Sequence, residues 1–200
     1  MEFRILGPLE VLDEGRRLAV AGSKPRAVLA LLLLHRGETL GTERLIDELW
    51  GGRPPATAAK SLRVHVSRLR RALAAGRGGR LDEVIVTRGH GYQLVVDAER
   101  LDAHRFERLV AEGRGELAAG RPQRAAAALE HGLSLWRGRP LDDLAYEPFA
   151  QREIARLEDL RIAASEELVE ARLAGEGAQQ IFVTNRELVA DKPEEVARRL

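Results

Sequence analysis

A run of basic residues is threaded through a regular apolar pattern in the stretch KSLRVHVSRLRRAL, residues 60–73. If this stretch is helical, four apolar side chains form one narrow stripe that faces a core: Leu62, Val66, Leu69 and Leu73. The remaining faces are cationic, and no Asp or Glu occurs between residues 53 and 80. A solvated helix usually mixes charges of both signs, because oppositely charged pairs four residues apart stabilise it. The one-signed face therefore predicts an anionic partner.

Val64 lies in the middle of this cationic face. A β-branched apolar side chain among cations gains no stabilising contact from water, whereas in a major groove it can contact thymine methyl groups. Single apolar residues are nevertheless common on protein surfaces. For Val64 alone both interpretations stay open, while the whole face favours DNA.

A second candidate contact with DNA lies in residues 84–96, VIVTRGHGYQLVV. Two β-rich runs flank Arg88-Gly89-His90-Gly91, and the glycines allow the positive φ angles of a tight turn, so the stretch predicts a β-hairpin. Arg88 at its tip has the geometry to enter a minor groove, where the negative potential is high. Alone, such an arginine is usually only a turn residue. After a basic helix, it predicts a winged helix-turn-helix.

The elements that position these residues follow from the flanking sequence. Residues 1–20 alternate short apolar runs with Gly, Pro and Asp, which predicts a small antiparallel sheet. A helix over AVLALLLLHR follows, with Ser23 as its N-cap, Pro25 in its first turn and Gly37 as its stop. A shorter helix over TERLIDELW has Thr42 as its predicted N-cap and Gly51-Gly52 as its stop.

Pro54-Pro55 is expected to open the third helix, which spans residues 56–75 and ends near Ala75-Gly76. A loop is expected over residues 76–83, and the hairpin wing is expected to follow over residues 84–96. The predicted order of elements is therefore an N-terminal antiparallel sheet, three helices and a C-terminal hairpin wing, an α+β winged helix-turn-helix.

From Leu101 onward the sequence is helical and rich in alanine. Two amphipathic segments, separated by Gly120 and Pro122, predict a helical hairpin with small residues at its crossing, as in tetratricopeptide-like (TPR-like) repeats. A longer helix is expected over residues 149–175, another over 178–190 and the start of one more at Pro193. No capping element follows, so we expect the chain to be a fragment of a longer protein.

Charge is distributed unevenly between the two halves. The net charge of the chain is +1, but residues 1–97 carry +5 and residues 98–200 carry −4. Most of the positive excess lies between residues 53 and 88, which carry +7. This asymmetry predicts two domains, a nucleic-acid-binding domain over 1–97 and an all-α domain over 98–200.

Several other kinds of site are not supported by the sequence. The chain has no cysteine, so disulfides and thiolate chemistry are excluded. Its histidines lack metal-ligand spacing and no Walker A motif occurs, so we expect no metal, no cofactor and no enzymatic activity. The acidic pairs Asp142-Asp143 and Glu166-Glu167 are expected to cap helices or to lie on solvated faces. With no membrane-spanning run and no signal peptide, a cytoplasmic protein is expected.

Residues 1–97 resemble the winged-helix effector domain of the OmpR/PhoB class. The motifs that carry the resemblance are LIDELWG, KSLRVHVSRLRRAL and VTRGHGYQL, and their order and spacing make it specific. Four stretches resemble the AfsR/SARP regulators of actinobacteria: FRILGPLEV, LIDELWGGRPPATA, LDAHRFERLVAEGRGELAAGR and GLSLWRGRPLDDL. In that family a helical bacterial transcriptional activation domain follows the winged helix, and the resemblance covers nearly the whole chain.

The resemblance implies a role for each candidate residue. Five positions correspond to the part of the recognition helix that meets the major groove: Lys60, Ser61, Val64, His65 and Arg68. Arg70 and Arg71 correspond to phosphate contacts, and Arg88 to the wing residue that enters the minor groove. The resemblance also implies binding to direct repeats as a dimer or as side-by-side protomers, contact with RNA polymerase, and activation of secondary-metabolite genes such as those for antibiotic biosynthesis.

A second hypothesis remains open. The TPR-like half could bind a protein partner while the basic half grips an acidic protein or is autoinhibited by the acidic half. The two hypotheses differ in whether the basic half binds DNA better than it binds polyanions such as heparin.

Overall fold

The amino-terminal residues form the predicted antiparallel sheet. In the computed structural model, which describes residues 1–74 and 84–191 and the side chains as far as residue 175, three short strands pair in the order β1 (Glu2–Arg4), β2 (Glu10–Asp13) and β3 (Arg16–Leu18). Phe3 pairs with Val11, and Val11 with Leu18. All three side chains are buried because alternate residues of a strand face one side of a sheet.

Three helices follow the sheet, as predicted: α1 (Ser23–Leu34), α2 (Thr42–Trp50) and α3 (Ala58–Ala74). Their starts differ from the sequence predictions. Ser23 and Thr42 are the first helical residues rather than N-caps, and Gly22 and Gly41 occupy the cap positions without a side-chain hydrogen bond. Helix α3 begins three residues after Pro55, not at the proline pair or at residue 56.

The wing is a hairpin of β5 (Ile85–Arg88) and β6 (Gly91–Leu94). A two-residue strand between α1 and α2, β4 (Leu40–Gly41), pairs with β6, so the sheet order is β4-β6-β5. The hairpin was predicted, but a two-residue strand has no periodicity from which it could be predicted. The predicted end of the third helix at Ala75-Gly76, the loop after it and a helix start at Pro193 lie outside the described residues.

The second half is helical, with α4 (Asp102–Ala118), α5 (Pro122–Ser134) and α6 (Pro148–Asp191) as its main elements. Short 3₁₀ helices over Ala98–Arg100 and Asp142–Leu144 lie in the connections. The prediction of separate helices over 149–175 and 178–190 is wrong, since the backbone of α6 is continuous. Gly175 and Gly177 weaken a helix by about 1 kcal/mol each relative to alanine, but they keep its hydrogen bonds and do not have to end it.

Small residues allow α4 and α5 to pack closely, as expected for a TPR-like hairpin. Ala125 and Ala128 of the predicted alanine run are buried. The tightest approaches are made by glycines: a Cβ on Gly113 would lie 2.6 Å from Leu129 Cγ, and a Cβ on Gly132 would lie 3.3 Å from Leu109 Cβ. Helix α6 packs against α5 and completes a three-helix layer.

The two halves share one continuous hydrophobic core. Residue Phe3 of β1 forms a β-bridge with Leu101, directly before α4. Asp143, predicted to be a cap or a solvated residue, instead accepts a hydrogen bond from the Leu9 amide (2.7 Å) and pairs with the Arg26 guanidinium. The amino-terminal sheet therefore holds the helical half against the winged-helix half.

Candidate nucleic-acid interface

Helix α3 has the two faces predicted from its sequence. The apolar stripe is buried, with exposures of 0–2% for Leu62, Val66, Leu69 and Leu73. The opposite side is exposed and consists largely of cations: Lys60, Arg63, Arg68 and Arg71. Lys60, Arg68 and Arg71 form no ion pair within the described residues. Their positive charges are therefore presented to solvent together.

Val64 and Ser61 belong to the same helix surface. Val64 is 41% exposed in the middle of the cations, as its helical phase predicts, and Ser61 is half-buried at the edge. An apolar contact point surrounded by basic side chains matches the chemistry of a major groove, where thymine methyl groups lie between phosphate-lined walls.

His65 is half-buried against α2 rather than fully presented to solvent. Its ring stacks on Trp50 with centroids 6.4 Å apart, and its Nδ1 atom is buried without a hydrogen-bond partner. Burial lowers the pKa of His65 below 6.5, and the positive charges of Arg68 and Lys24 lower it further. The neutral form of the imidazole is therefore favoured, with Nδ1 turned into the protein.

Arg70 and Arg71 are adjacent in sequence but lie in different surroundings. Arg71 is exposed at the end of the cationic face. Arg70 points to the wing, where its Nε donates to the carbonyl oxygen of Ile85 (2.9 Å) and one terminal nitrogen donates to Thr87 Oγ1 (2.9 Å). Its guanidinium carbon also lies 5.9 Å from the centre of the Tyr92 ring. Of the two arginines predicted at phosphates, only Arg71 is fully presented to solvent.

Arg88 lies at the exposed tip of the wing, as predicted. It pairs with Gly91 in the last register of β5 and β6, and the turn between them contains Gly89 at φ +53°. Gly91 is required for a different reason from the predicted positive φ: a Cβ there would lie 2.3 Å from the Leu40 carbonyl oxygen. Close approach of β4, rather than turn conformation, selects this glycine.

Comparison with known proteins accounts for both halves of the chain. Residues 18–94 match the family model of the C-terminal domain of transcriptional regulatory proteins, and residues 101–199 match that of the bacterial transcriptional activator domain. The chain is 36% identical over 177 residues to the regulatory protein DnrI of Streptomyces peucetius, covering 86% of this chain and 65% of DnrI. It is 34% identical over 198 residues to the transcriptional regulator RedD of Streptomyces coelicolor, covering 96% of this chain and 55% of RedD.

This chain belongs to the AfsR/SARP family of transcriptional regulators. A solved structure of EmbR of Mycobacterium tuberculosis, in complex with a low-affinity phosphopeptide, superposes with a TM-score of 0.84 at 31% identity, covering 96% of this chain and 50% of that one. The winged helix followed by a helical domain is therefore the fold of this AfsR/SARP chain. The chain spans 55–65% of the length of DnrI and RedD. DnrI and RedD are both named as regulators.

The part of this AfsR/SARP chain that the structure describes contains no group of three or more His, Cys, Asp or Glu side chains able to hold a metal ion. Within the same described residues, no helix is both long enough and apolar enough to cross a bilayer.

Sequence reasoning missed the residues that support the interface from behind. Lys24 lies 6.0 Å from the centre of the Trp50 ring and donates to the Leu49 carbonyl, so it ties α1 to the end of α2. Thr42 holds the wing turn, since its backbone amide (3.0 Å) and its hydroxyl (2.7 Å) both donate to the His90 carbonyl. A threonine at the start of a helix signals a cap, and nothing in the sequence distinguishes a cap from this long-range bond.

Proposed function

We propose that the exposed face of α3 together with the β5–β6 wing binds double-stranded DNA sequence-specifically, and that the chain acts as a transcriptional activator. The observation that carries the proposal is the one-signed exposed face of α3 beside an exposed wing arginine, Arg88. A helix of this kind fits the major groove, and a hairpin arginine fits the adjacent minor groove.

The side chains divide between base contacts and phosphate contacts in this proposal. Five residues of α3 meet base edges: Lys60, Ser61, Val64, His65 and Arg68. His65 does so through Nε2, because Nδ1 is buried against the protein. Arg71 binds phosphate, and Arg88 enters the minor groove. Arg70, the other predicted phosphate contact, already bonds to the wing.

The partners of the helical half form the second part of the proposal. We propose two functional units, residues 1–97 for DNA and residues 98–200 for contact with RNA polymerase. Membership of the family supports binding to direct repeats near promoters as a dimer or as side-by-side protomers, and supports secondary-metabolite genes as the targets.

The test is a binding titration of the whole chain against two duplexes in a salt series. One is the duplex that the protein enriches most strongly from a randomised library, called here the selected duplex, and the other is a random duplex of equal length. Specific recognition predicts an affinity ratio of about a thousand or more. The logarithm of affinity should fall linearly with the logarithm of salt concentration, with a slope near −0.9 per phosphate neutralised. Equal affinity for both duplexes would refute sequence-specific binding.

A second candidate function, a protein-interaction module, is favoured by one surface of α6. Ile162, Val169 and Leu173 are 56–65% exposed and lie within about 40° of one another around the helix. Such a stripe suits a protein contact, whether or not the basic half binds DNA. Heparin separates the two functions: a DNA-binding protein prefers the selected duplex to heparin, whereas a basic surface made for an acidic protein shows no such preference.

A further inference from the structure

Arg70 connects the recognition helix to both strands of the wing. On β5 it bonds to the carbonyl oxygen of Ile85 and to the hydroxyl of Thr87, each at 2.9 Å. On β6 its guanidinium lies against the ring of Tyr92. A guanidinium presents several N–H donors in a planar fork and also stacks on aromatic faces, so one side chain makes all three contacts.

Two of these three contacts, those with Thr87 and Tyr92, lie one residue pair from the tip of the wing. Thr87 pairs with Tyr92 across the hairpin, and the next pair toward the tip is Arg88 with Gly91. Arg70 therefore contacts the hairpin at the residue pair next to Arg88, the arginine that is proposed to enter the minor groove. On the other side, Thr42 of α2 holds the turn through the His90 carbonyl.

We propose that Arg70 is a positioning residue, which fixes the reach of Arg88 relative to the base-contacting face of α3. This inference rests on the DNA-binding function proposed above and deepens it. Major-groove and minor-groove contacts form together only if the helix and the wing keep a fixed separation. Because Arg70 already holds the wing in place, no free energy of binding is lost in ordering the wing. The whole contact of Arg88 with DNA then contributes to affinity.

The experiment is a double-mutant cycle with Arg88, carried out on the whole chain. Arg70→Lys keeps the positive charge but loses the fork, and Thr87→Val removes one partner while leaving Arg70 in place. Each is combined with Arg88→Ala and titrated against the selected duplex. In the wild-type background Arg88→Ala should weaken binding about tenfold, and in either variant background by less than about twofold, because the unfixed wing no longer delivers the side chain.

The matched control is Arg100→Lys, the same charge-conserving change at an exposed arginine of the helical half. In that background Arg88→Ala should retain its tenfold effect. Thermal unfolding of every variant shows whether the fold is kept, and Thr87→Val serves as the test if Arg70→Lys does not fold.

Two results would overturn the inference. If Arg88→Ala costs about tenfold in every background, Arg70 does not act through Arg88, and a purely stabilising role would give that pattern together with a lower melting temperature. If Arg70→Lys leaves affinity unchanged, a point charge is sufficient and the residue is only a phosphate contact. The proposed function fails separately, if the wild-type chain does not distinguish the selected duplex from a random one.

Discussion

The carboxylate of Asp102, in the first turn of α4, accepts a hydrogen bond of 2.7 Å from the backbone amide of Ile5. Its second oxygen accepts from the amide of Leu6 (3.1 Å), and Arg137 lies 3.6 Å away. Burial raises the pKa of Asp102, while these amides and Arg137 act in the opposite direction. One buried side chain thus joins the amino-terminal sheet to the helical half. The winged helix therefore packs against the helical half and is not connected to it by the chain alone.

Replacing Asp102 with asparagine is expected to lower the free energy of unfolding by about 1–3 kcal/mol, because the amide nitrogen cannot accept the hydrogen bond that a carboxylate oxygen now accepts. Urea unfolding followed by circular dichroism measures the change. Asp159→Asn, the same substitution on the exposed surface of α6, is the control and should change stability by less than about 0.5 kcal/mol. Equal effects of the two substitutions on the free energy of unfolding would contradict the role of Asp102 in joining the sheet to the helical half.

Arg68 and Arg71 are expected to affect DNA binding in different ways. Arg68→Ala should reduce the ratio of affinities for the selected and random duplexes about tenfold, since a base contact is lost. Arg71→Ala should weaken binding to both duplexes alike and make the salt slope shallower by about one unit, because one phosphate contact is lost. Fluorescence anisotropy in a salt series measures both quantities. An unchanged affinity ratio for Arg68→Ala would mean that Arg68 does not read bases.

Gly91 and Gly115 should respond oppositely to alanine. Gly91→Ala places a Cβ against the backbone of β4 and is expected to destabilise the fold by about 1–3 kcal/mol, since strands β4 and β6 must move apart. Gly115, within α4, has open space around it, so alanine there should stabilise by about 0.5–1 kcal/mol. Urea unfolding provides the comparison, and a stable Gly91→Ala variant would contradict the close packing of the wing on β4.

His65 is expected to make the stability of the fold depend on pH. Because the folded-state pKa is lowered below 6.5, the unfolded chain takes up the proton first, and stability from this group is lost as the pH falls below about 6.5. Wild type should therefore lose more stability than His65→Gln when the pH is lowered from about 7.5 to about 5.5. Titration of the ring by NMR checks the pKa directly.

Arg68→Ala should raise the pKa of His65 toward 6.5, since it removes one of the positive charges that lower it. A His65 pKa at or above 6.5 in the wild-type protein would contradict the buried, stacked position of the ring on Trp50.

Local periodicity accounts for what could be predicted from the sequence. The buried stripe of α3, the exposure of Val64 and the hairpin with Arg88 all depend on residues within one element, whose spacing fixes their faces. Helix starts at Ser23 and Thr42 were misplaced by one residue, because cap residues also occur just inside a helix. The continuity of α6 was missed because glycine signals a weak point but does not enforce a break.

Long-range contacts could not be predicted in the same way. The neighbouring arginines in RLRR differ in role because Arg70 contacts a strand that lies more than ten residues further along the chain. The spacing of residues in the sequence does not indicate this contact. The same holds for Asp143, which resembles a cap in sequence but bonds to Leu9 and Arg26 across the chain. Only the tertiary structure distinguishes the residues that are free to contact DNA, as proposed, from those that bond to other parts of the chain.

The proposed function requires that α3 and the wing together form one DNA-binding surface. The most direct test compares two double variants that remove equal charge, Arg68→Ala with Arg88→Ala on the proposed surface and Arg100→Ala with Arg124→Ala on the helical half. Titrated against the selected duplex at one salt concentration, the first pair should weaken binding about a hundredfold or more, and the second by less than about threefold. Equal losses for the two pairs would show that net charge, and not this surface, binds DNA.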